Sequence, residues 1–412
     1  MVTNVKNRYF LAVFVVLFIL MTQGFKYSYW TSLPFLPKFR YAVLLLIPLF
    51  TLCKYRNVVL ENIMYNRKNV LYFIFACMLT FLLRNVFYDS GLGHGLEMNI
   101  FMSSVFCSYF LFYYASVSEK NIIKAITIIG LIVFVIQVFQ QLYPSLAVFS
   151  IITEEQRFEM GISSDYMVGM RNGIYRFIPV SQALPVFLSC YYFSKLLKRF
   201  SALYLLLTLI FLTSMYLMLT RMFIVCTGIC FVYIYASSFN VKRSNFSILI
   251  VSLGAIVMGI YYSDALFSSL FSSGETGLDY SAKARIECVP FLLTKAFDNP
   301  LLFILGHGYP NLLWDWGNKW GYWYSDVGII GQIYIYGIVW PLVYMRLVFC
   351  FLVKMRHQIP CYIRAYIFGM FCICYMMPSY GLNLELTLLW CIVLYISDLY
   401  ISNSNQTDNN LV

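Results

Sequence analysis

The feature that most constrains this chain is a series of apolar segments, each about as long as a membrane-crossing helix. A helix needs roughly 20 apolar residues to cross the hydrocarbon core of a bilayer. Twelve such segments can be counted, at about 9–25, 40–56, 69–88, 99–117, 122–144, 176–194, 201–220, 222–238, 246–263, 326–350, 360–378 and 384–401. The sequence therefore predicts an all-α integral membrane protein with about 12 transmembrane helices.

The composition argues against every soluble class of protein. Apolar and aromatic residues make up 61% of the chain, whereas charged residues make up only 11%. So few charges do not cover the surface of a soluble protein, which excludes a cytosolic enzyme, a DNA-binding factor and a secreted domain. The net charge of +11 therefore reports membrane orientation and is not read as affinity for nucleic acid.

One long apolar stretch must be divided to fit a bilayer. Residues 201–237 are interrupted only by Arg221. As one helix this stretch would run about 55 Å, against a hydrocarbon core of about 30 Å. Two helices that turn at Arg221 keep its charge at a water-facing position. The sequence therefore predicts a helix break at this arginine.

The distribution of charge tests the predicted topology. With the N-terminus inside, the inner segments carry 17 cations and 4 acids, and the outer segments carry 12 cations and 14 acids. This asymmetry follows the positive-inside rule, so both termini are expected in the cytoplasm. Residues 1–262 then hold nine helices and an outer loop at about 144–175, and residues 326–401 hold the last three helices. Residues 402–412 form a polar tail, expected to be disordered.

The large outer loop, 263–325, is too long to be a simple connection. Apolar residues at helical spacing predict a helix over 281–297, which ends before Asn299-Pro300. The inner face has no phosphate-binding GxxxxGK[ST] loop, so chemistry is expected on the outer face with substrates already activated on a lipid carrier. The three histidines are widely separated and the chain has neither an HExxH motif nor a CxxC pair, which argues against a structural metal site, and no cofactor is expected.

Four arginines on the predicted outer face are candidate ligands for an anionic head group: Arg171, Arg176, Arg221 and Arg285. The planar guanidinium matches phosphate oxygens and stays charged at all relevant pH values. Taken singly, each is as well explained as an interfacial side chain or as the partner of an outer carboxylate. As a set on one face they favour binding of an anion.

Aromatic and titratable residues complete the candidate site. Trp314, Trp316, Trp320 and Trp323 lie within ten residues of one another, which suits stacking on sugar rings and equally suits an aromatic belt at the membrane interface. The candidate proton acceptors are His307, between two glycines, and Asp326, where the loop enters the tenth segment. A lone histidine is more often structural, and Glu287 and Asp279 are the weaker alternatives to this pair.

Three segments carry a resemblance to a known family. Leu219-Thr220-Arg221-Met222 heads a span, residues 284–311 read ARIECVPFLLTKAFDNPLLFILGHGYPN, and residues 325–338 read SDVGIIGQIYIYGI. Their order and spacing over about 170–402 resemble the O-antigen polymerase (Wzy) group. This group belongs to the O-antigen ligase/polymerase superfamily of GT-C-like membrane glycosyltransferases.

The resemblance implies an enzyme of the bacterial inner membrane that polymerises surface polysaccharide on the periplasmic face, by inverting, metal-independent transfer from a polyprenyl-diphosphate-linked glycan. It assigns Arg221 and Arg285 to the diphosphate, and a chain-length regulator is a possible partner. Related ligases carry His-Asn where this chain has Ser325-Asp326, which argues against a ligase and leaves the base open between Asp326 and His307. A lipid-linked oligosaccharide flippase is the alternative from another class, but it needs polar residues within its spans.

Overall fold

The computed structural model describes residues 2–22, 42–51, 64–88, 94–143, 170–171, 174–175, 182–218, 221–238, 280–308, 324–374 and 384–409. Within these ranges every regular element is helical, apart from one antiparallel pair of two-residue strands. The predicted all-α fold class is therefore confirmed for the described part of the chain.

The first half of the described chain contains α1 (Val2–Thr22), α2 (Ala42–Thr51), α3 (Arg67–Tyr88), α4 (His94–Phe106), α5 (Ser108–Tyr114), α6 (Glu119–Leu142), β1 (Met170–Arg171), β2 (Ile174–Tyr175), α7 (Leu184–Lys198), α8 (Ala202–Leu217) and α9 (Arg221–Ser238). The second half contains α10 (Tyr280–Phe297), α11 (Pro300–Leu305), a 3₁₀ turn (Tyr324–Val327), α12 (Gly328–Tyr336), α13 (Val339–Phe349), a π-helical turn (Cys350–Lys354), α14 (Cys361–Cys372) and α15 (Leu384–Asn409).

Two helices among the described residues, Glu119–Leu142 and Leu384–Ser402, are long and apolar enough to cross a membrane. Six further apolar helices have 10 to 17 residues, fewer than a full crossing needs. The count of twelve spans therefore stays a prediction.

Helix α6 is apolar on its exposed face as well as on its buried face. Large apolar side chains recur every three or four residues along its exposed face, at Ile128, Ile132, Val135, Phe139 and Leu142. Its opposite face is buried against the bundle. An amphipathic helix of a soluble protein presents polar residues to water, so this pattern is typical of a helix between protein and lipid.

The last helix, α15, occupies the centre of the bundle. Every residue from Leu384 to Asp398 is buried. The helix packs against α1, α4 and α5, and Trp390 is one of the largest fully buried side chains. A helix that is apolar all round is stable when it is surrounded on all sides, which explains its central place.

Two acids fix one end of this bundle. The Asp398 carboxylate accepts hydrogen bonds from the backbone N–H of Asn66 at 3.2 Å, from its Nδ2 at 2.6 Å and from the hydroxyls of Tyr113, at 2.8 Å, and Tyr109. The carboxylate of Glu119 accepts from the hydroxyls of two further tyrosines, Tyr362 and Tyr400, each at 2.8 Å. Asp398 is fully buried and needs such donors, Glu119 is half-buried, and the bonds of both tie α15 to its neighbours.

Three local predictions meet the structure directly. α8 ends at Leu217 and α9 begins at Arg221, so the predicted division of this stretch into two helices at Arg221 is confirmed. A helix from Tyr280 to Phe297 confirms the one predicted over 281–297. The predicted disordered tail is wrong for the described residues, because α15 continues to Asn409. Once a helix is formed, adding polar residues to its end costs only a few tenths of a kcal/mol each, so polarity alone does not end it.

Candidate functional site

The candidate site is built around an interrupted helix. α12 ends at Tyr336 and α13 begins at Val339, and the segment after α10 packs against this break. The backbone N–H of His307 donates to the Tyr334 carbonyl at 2.7 Å, and that of Gly308 donates to the Ile335 carbonyl at 2.9 Å. In return, the N–H of Ile338 donates to the Phe303 carbonyl at 2.9 Å. The polar groups freed by the break are thus satisfied by the 303–308 segment.

Two glycines make this pairing possible. Gly306 has φ +84° and Gly337 has φ +79°, both in a region that side chains rarely adopt. A Cβ on Gly306 would lie 2.2 Å from the Ile335 carbonyl oxygen, and one on Gly337 would lie 2.0 Å from the Ile304 carbonyl oxygen. Each glycine therefore lets the other segment approach closely, and together they fix the position of His307.

His307 itself is half-buried beside an aromatic ring. Its imidazole stacks on Tyr334 with ring centroids 4.5 Å apart and planes 9° from parallel. Its Nδ1 atom is buried and has no hydrogen-bond partner among the described residues. Burial lowers the pKa of His307 below its ordinary 6.5, while the Tyr334 carbonyl and the Asp298 carboxylate oppose this change. The ring is therefore neutral near pH 7, as a proton acceptor must be.

The backbone positions of Arg285 and Asp326 belong to the same group of elements. Arg285 lies in α10, which packs against both α12 and the 3₁₀ turn that contains Asp326. The buried face of α10 includes Cys288, Leu292 and Ala296, spaced four residues apart. The side chains of Arg285 and Asp326 are outside the described part of the chain, so their roles stay predictions.

Arg221 begins α9 at the end of the bundle that also holds the Asp326 turn. α9 lies along α14, with Cys226 Sγ 3.9 Å from Met370 Sδ. Cys230 Sγ donates to the Ala365 carbonyl at 3.2 Å, so the two helices are antiparallel. Arg221 is about 7 Å from Cys226 along its helix axis, and Cys374 is about 6 Å beyond Met370, so Arg221 and Cys374 lie at a similar level. The N–H of Ile329, three residues after Asp326, donates to the Cys374 carbonyl at 2.7 Å.

The remaining predicted site residues have no described side chains. Arg171 lies in β1, paired with Ile174, and only its backbone is described. Arg176 and the four tryptophans, Trp314, Trp316, Trp320 and Trp323, lie outside the described residues. No group of three or more His, Cys, Asp or Glu side chains in the described ranges is arranged to hold a metal ion.

Glu385 is a buried carboxylate, at the start of α15, that the sequence reasoning missed. Its carboxylate accepts hydrogen bonds from the backbone N–H groups of Gln182 and Ala183 at 2.9 Å and of Leu184 at 3.1 Å. It thus caps the start of α7, where the N-cap residue Ala183 supplies no side-chain acceptor. The available signal was a single carboxylate inside an otherwise apolar segment.

No protein-family model matches the chain, and the comparison with curated proteins finds no match.

Proposed function

We propose that this chain is a membrane-embedded glycosyltransferase that joins polyprenyl-diphosphate-linked oligosaccharide repeat units, as an O-antigen or related surface-polysaccharide polymerase. The observation that carries the proposal is His307. A half-buried imidazole, whose pKa burial lowers, is held by a backbone clamp next to the elements that contain Arg285 and Asp326. This combination suits removal of a proton from an acceptor hydroxyl beside a cationic site for the leaving group.

The topology that goes with this function has twelve spans, both termini in the cytoplasm and the site on the periplasmic side of the bacterial inner membrane. The topology is supported by long-range contacts, each of which joins the ends of two predicted spans assigned to the same side of the membrane. Asp398 bonds to Asn66, which belongs with it on the inner side, and Glu119 bonds to Tyr400 there. On the outer side, the N–H of Ile329 bonds to the Cys374 carbonyl. If the predicted order of inward and outward spans were wrong, these contacts would join residues assigned to opposite sides of the membrane.

The proposed reaction is an inverting substitution. The acceptor hydroxyl oxygen forms a bond to the anomeric carbon of the growing chain while the bond from that carbon to the diphosphate oxygen breaks. The hydroxyl proton passes to the His307 imidazole or to Asp326, and polyprenyl diphosphate leaves with the bonding electrons. Arg221 and Arg285 neutralise the charge that develops on the leaving group, and Arg171 and Arg176 assist.

The buried acids of α15 support the flippase alternative less well than they support the polymerase. A transporter needs polar groups that line a path within its spans. Asp398 instead accepts four hydrogen bonds from Asn66, Tyr109 and Tyr113. Glu385 caps the start of α7. Both carboxylates therefore act as ties between helices, which favours a rigid enzyme scaffold.

The test is the surface-glycan profile of a deletion strain complemented with variants. We expect the deletion to leave a core that carries one repeat unit and no ladder. Arg221→Ala and Arg285→Ala should fail to restore the ladder at normal protein levels. Arg356→Ala is the matched control, because this exposed arginine lies on the predicted inner side and should restore it. Normal long chains with both outer variants would refute the proposal.

A further inference from the structure

A second polar position lies inside the bundle near the turn that contains Arg221. Gln137 is only 1% exposed, on the buried face of α6. Its Oε1 accepts a hydrogen bond from the Ser214 hydroxyl of α8 at 2.6 Å. Its Nε2 is buried and has no hydrogen-bond partner among the described residues. Buried polar atoms are nearly always paired, so this amide donor is a candidate contact for a ligand or for a buried water molecule.

The location of Gln137 connects this donor to the proposed site. Ser214 lies three residues before the end of α8, and the chain then turns into α9 at Arg221. The hydroxyl of Thr227, six residues into α9, lies 2.9 Å from Met215 Sδ of α8, so the two helices are packed at this level. At 1.5 Å per residue, the Gln137 amide lies about 9 Å below the Arg221 backbone along the helix axis. An extended arginine side chain covers most of that distance.

The chemistry of an amide suits an anion at this depth. A further arginine would have to be desolvated inside the bundle, which is costly in an apolar environment. A neutral amide adds donors to an anionic oxygen without adding a charge. Hydrogen bonds to charged partners are also stronger than those between neutral groups.

We propose that Gln137 donates a hydrogen bond to a diphosphate oxygen of the polyprenyl-linked substrate, below the arginines that hold its outer oxygens. This inference rests on the proposed function, since it names a second contact for the same head group. Ser214 is then a positioning residue, because its hydroxyl holds the amide through Oε1 and leaves Nε2 free for the ligand.

The test measures binding of undecaprenyl diphosphate, undecaprenyl monophosphate and undecaprenol to the purified full-length protein in nanodiscs. We expect Gln137→Leu to weaken binding of the diphosphate by about tenfold or more, as expected for a lost hydrogen bond to a charged group, and to leave undecaprenol binding unchanged. Thr213→Val, at an exposed position of α8 next to Ser214, is the control and should bind as the wild type does.

The outcomes separate this inference from the proposed function. If the wild type does not bind the diphosphate, the proposed function fails together with the inference. If the wild type binds it and Gln137→Leu binds equally well, only the inference is overturned. Should Gln137→Leu fail to fold, Ser214→Ala releases the amide, and unchanged diphosphate affinity there would contradict the positioning role.

Discussion

Gly306→Ala tests whether the backbone clamp holds His307 in place. Gly306 has φ +84° and ψ 161°, a conformation that is essentially restricted to glycine and costs other residues about 1–3 kcal/mol. The new Cβ would also lie 2.2 Å from the Ile335 carbonyl oxygen, so the segments must separate. Separation breaks the bonds from His307 to Tyr334 and from Gly308 to Ile335, at about 1 kcal/mol each. The expected total is about 3–5 kcal/mol.

The assay combines denaturant unfolding in detergent with amide hydrogen exchange. We expect Gly306→Ala to lower the free energy of unfolding by this amount and to remove exchange protection from the His307 amide. Gly228→Ala is the matched control, because Gly228 lies in a helix and a Cβ there has no neighbour within 4 Å. That change should be neutral or stabilise by up to about 1 kcal/mol. A Gly306→Ala protein with native stability and a protected His307 amide would refute the reasoning.

Two further predictions concern titration and helix capping. Because burial lowers the pKa of His307 below 6.5, the neutral base persists to acidic pH, so the transfer rate should fall only as pH drops through a value below 6.5. As the pH falls, the histidine is protonated in the unfolded chain before it is protonated in the folded protein, so the free energy of unfolding should also decline below about pH 6.5. A wild-type transfer rate that does not fall at acidic pH would argue for Asp326 as the base. Glu385→Ala removes the acceptor of three backbone N–H groups and should lower the free energy of unfolding by about 3 kcal/mol, measured by denaturant unfolding. Glu385→Gln keeps an acceptor oxygen and should cost less, and equal stability of both variants with the wild type would contradict the capping role.

Features decided by local sequence were predictable. The division of the apolar stretch at Arg221 follows from helix length alone, and the helix that ends before Asn299 follows from periodicity and the proline after it. The twelve-span count is of the same kind, but it rests on hydropathy, and among the described helices two are both long and apolar enough to cross a membrane.

Features that depend on distant contacts were not predictable. The break at Gly337 is visible in sequence only as a glycine in an apolar run, and its meaning comes from Gly306, some thirty residues away. Glu385 caps a helix about two hundred residues earlier in the chain, so no local pattern announces its partner. The buried amide of Gln137 likewise acquires its significance from Ser214.

The central claim is glycosyl transfer on a lipid-linked donor, and the most direct test is reconstitution. Purified protein in proteoliposomes is supplied with a polyprenyl-diphosphate-linked repeat unit, and released polyprenyl diphosphate and glycan length are measured. The account predicts stoichiometric release of polyprenyl diphosphate with lengthened glycan, and loss of both in Arg221→Ala and Arg285→Ala. Movement of the intact donor across the bilayer without release of diphosphate would contradict it and identify a transporter.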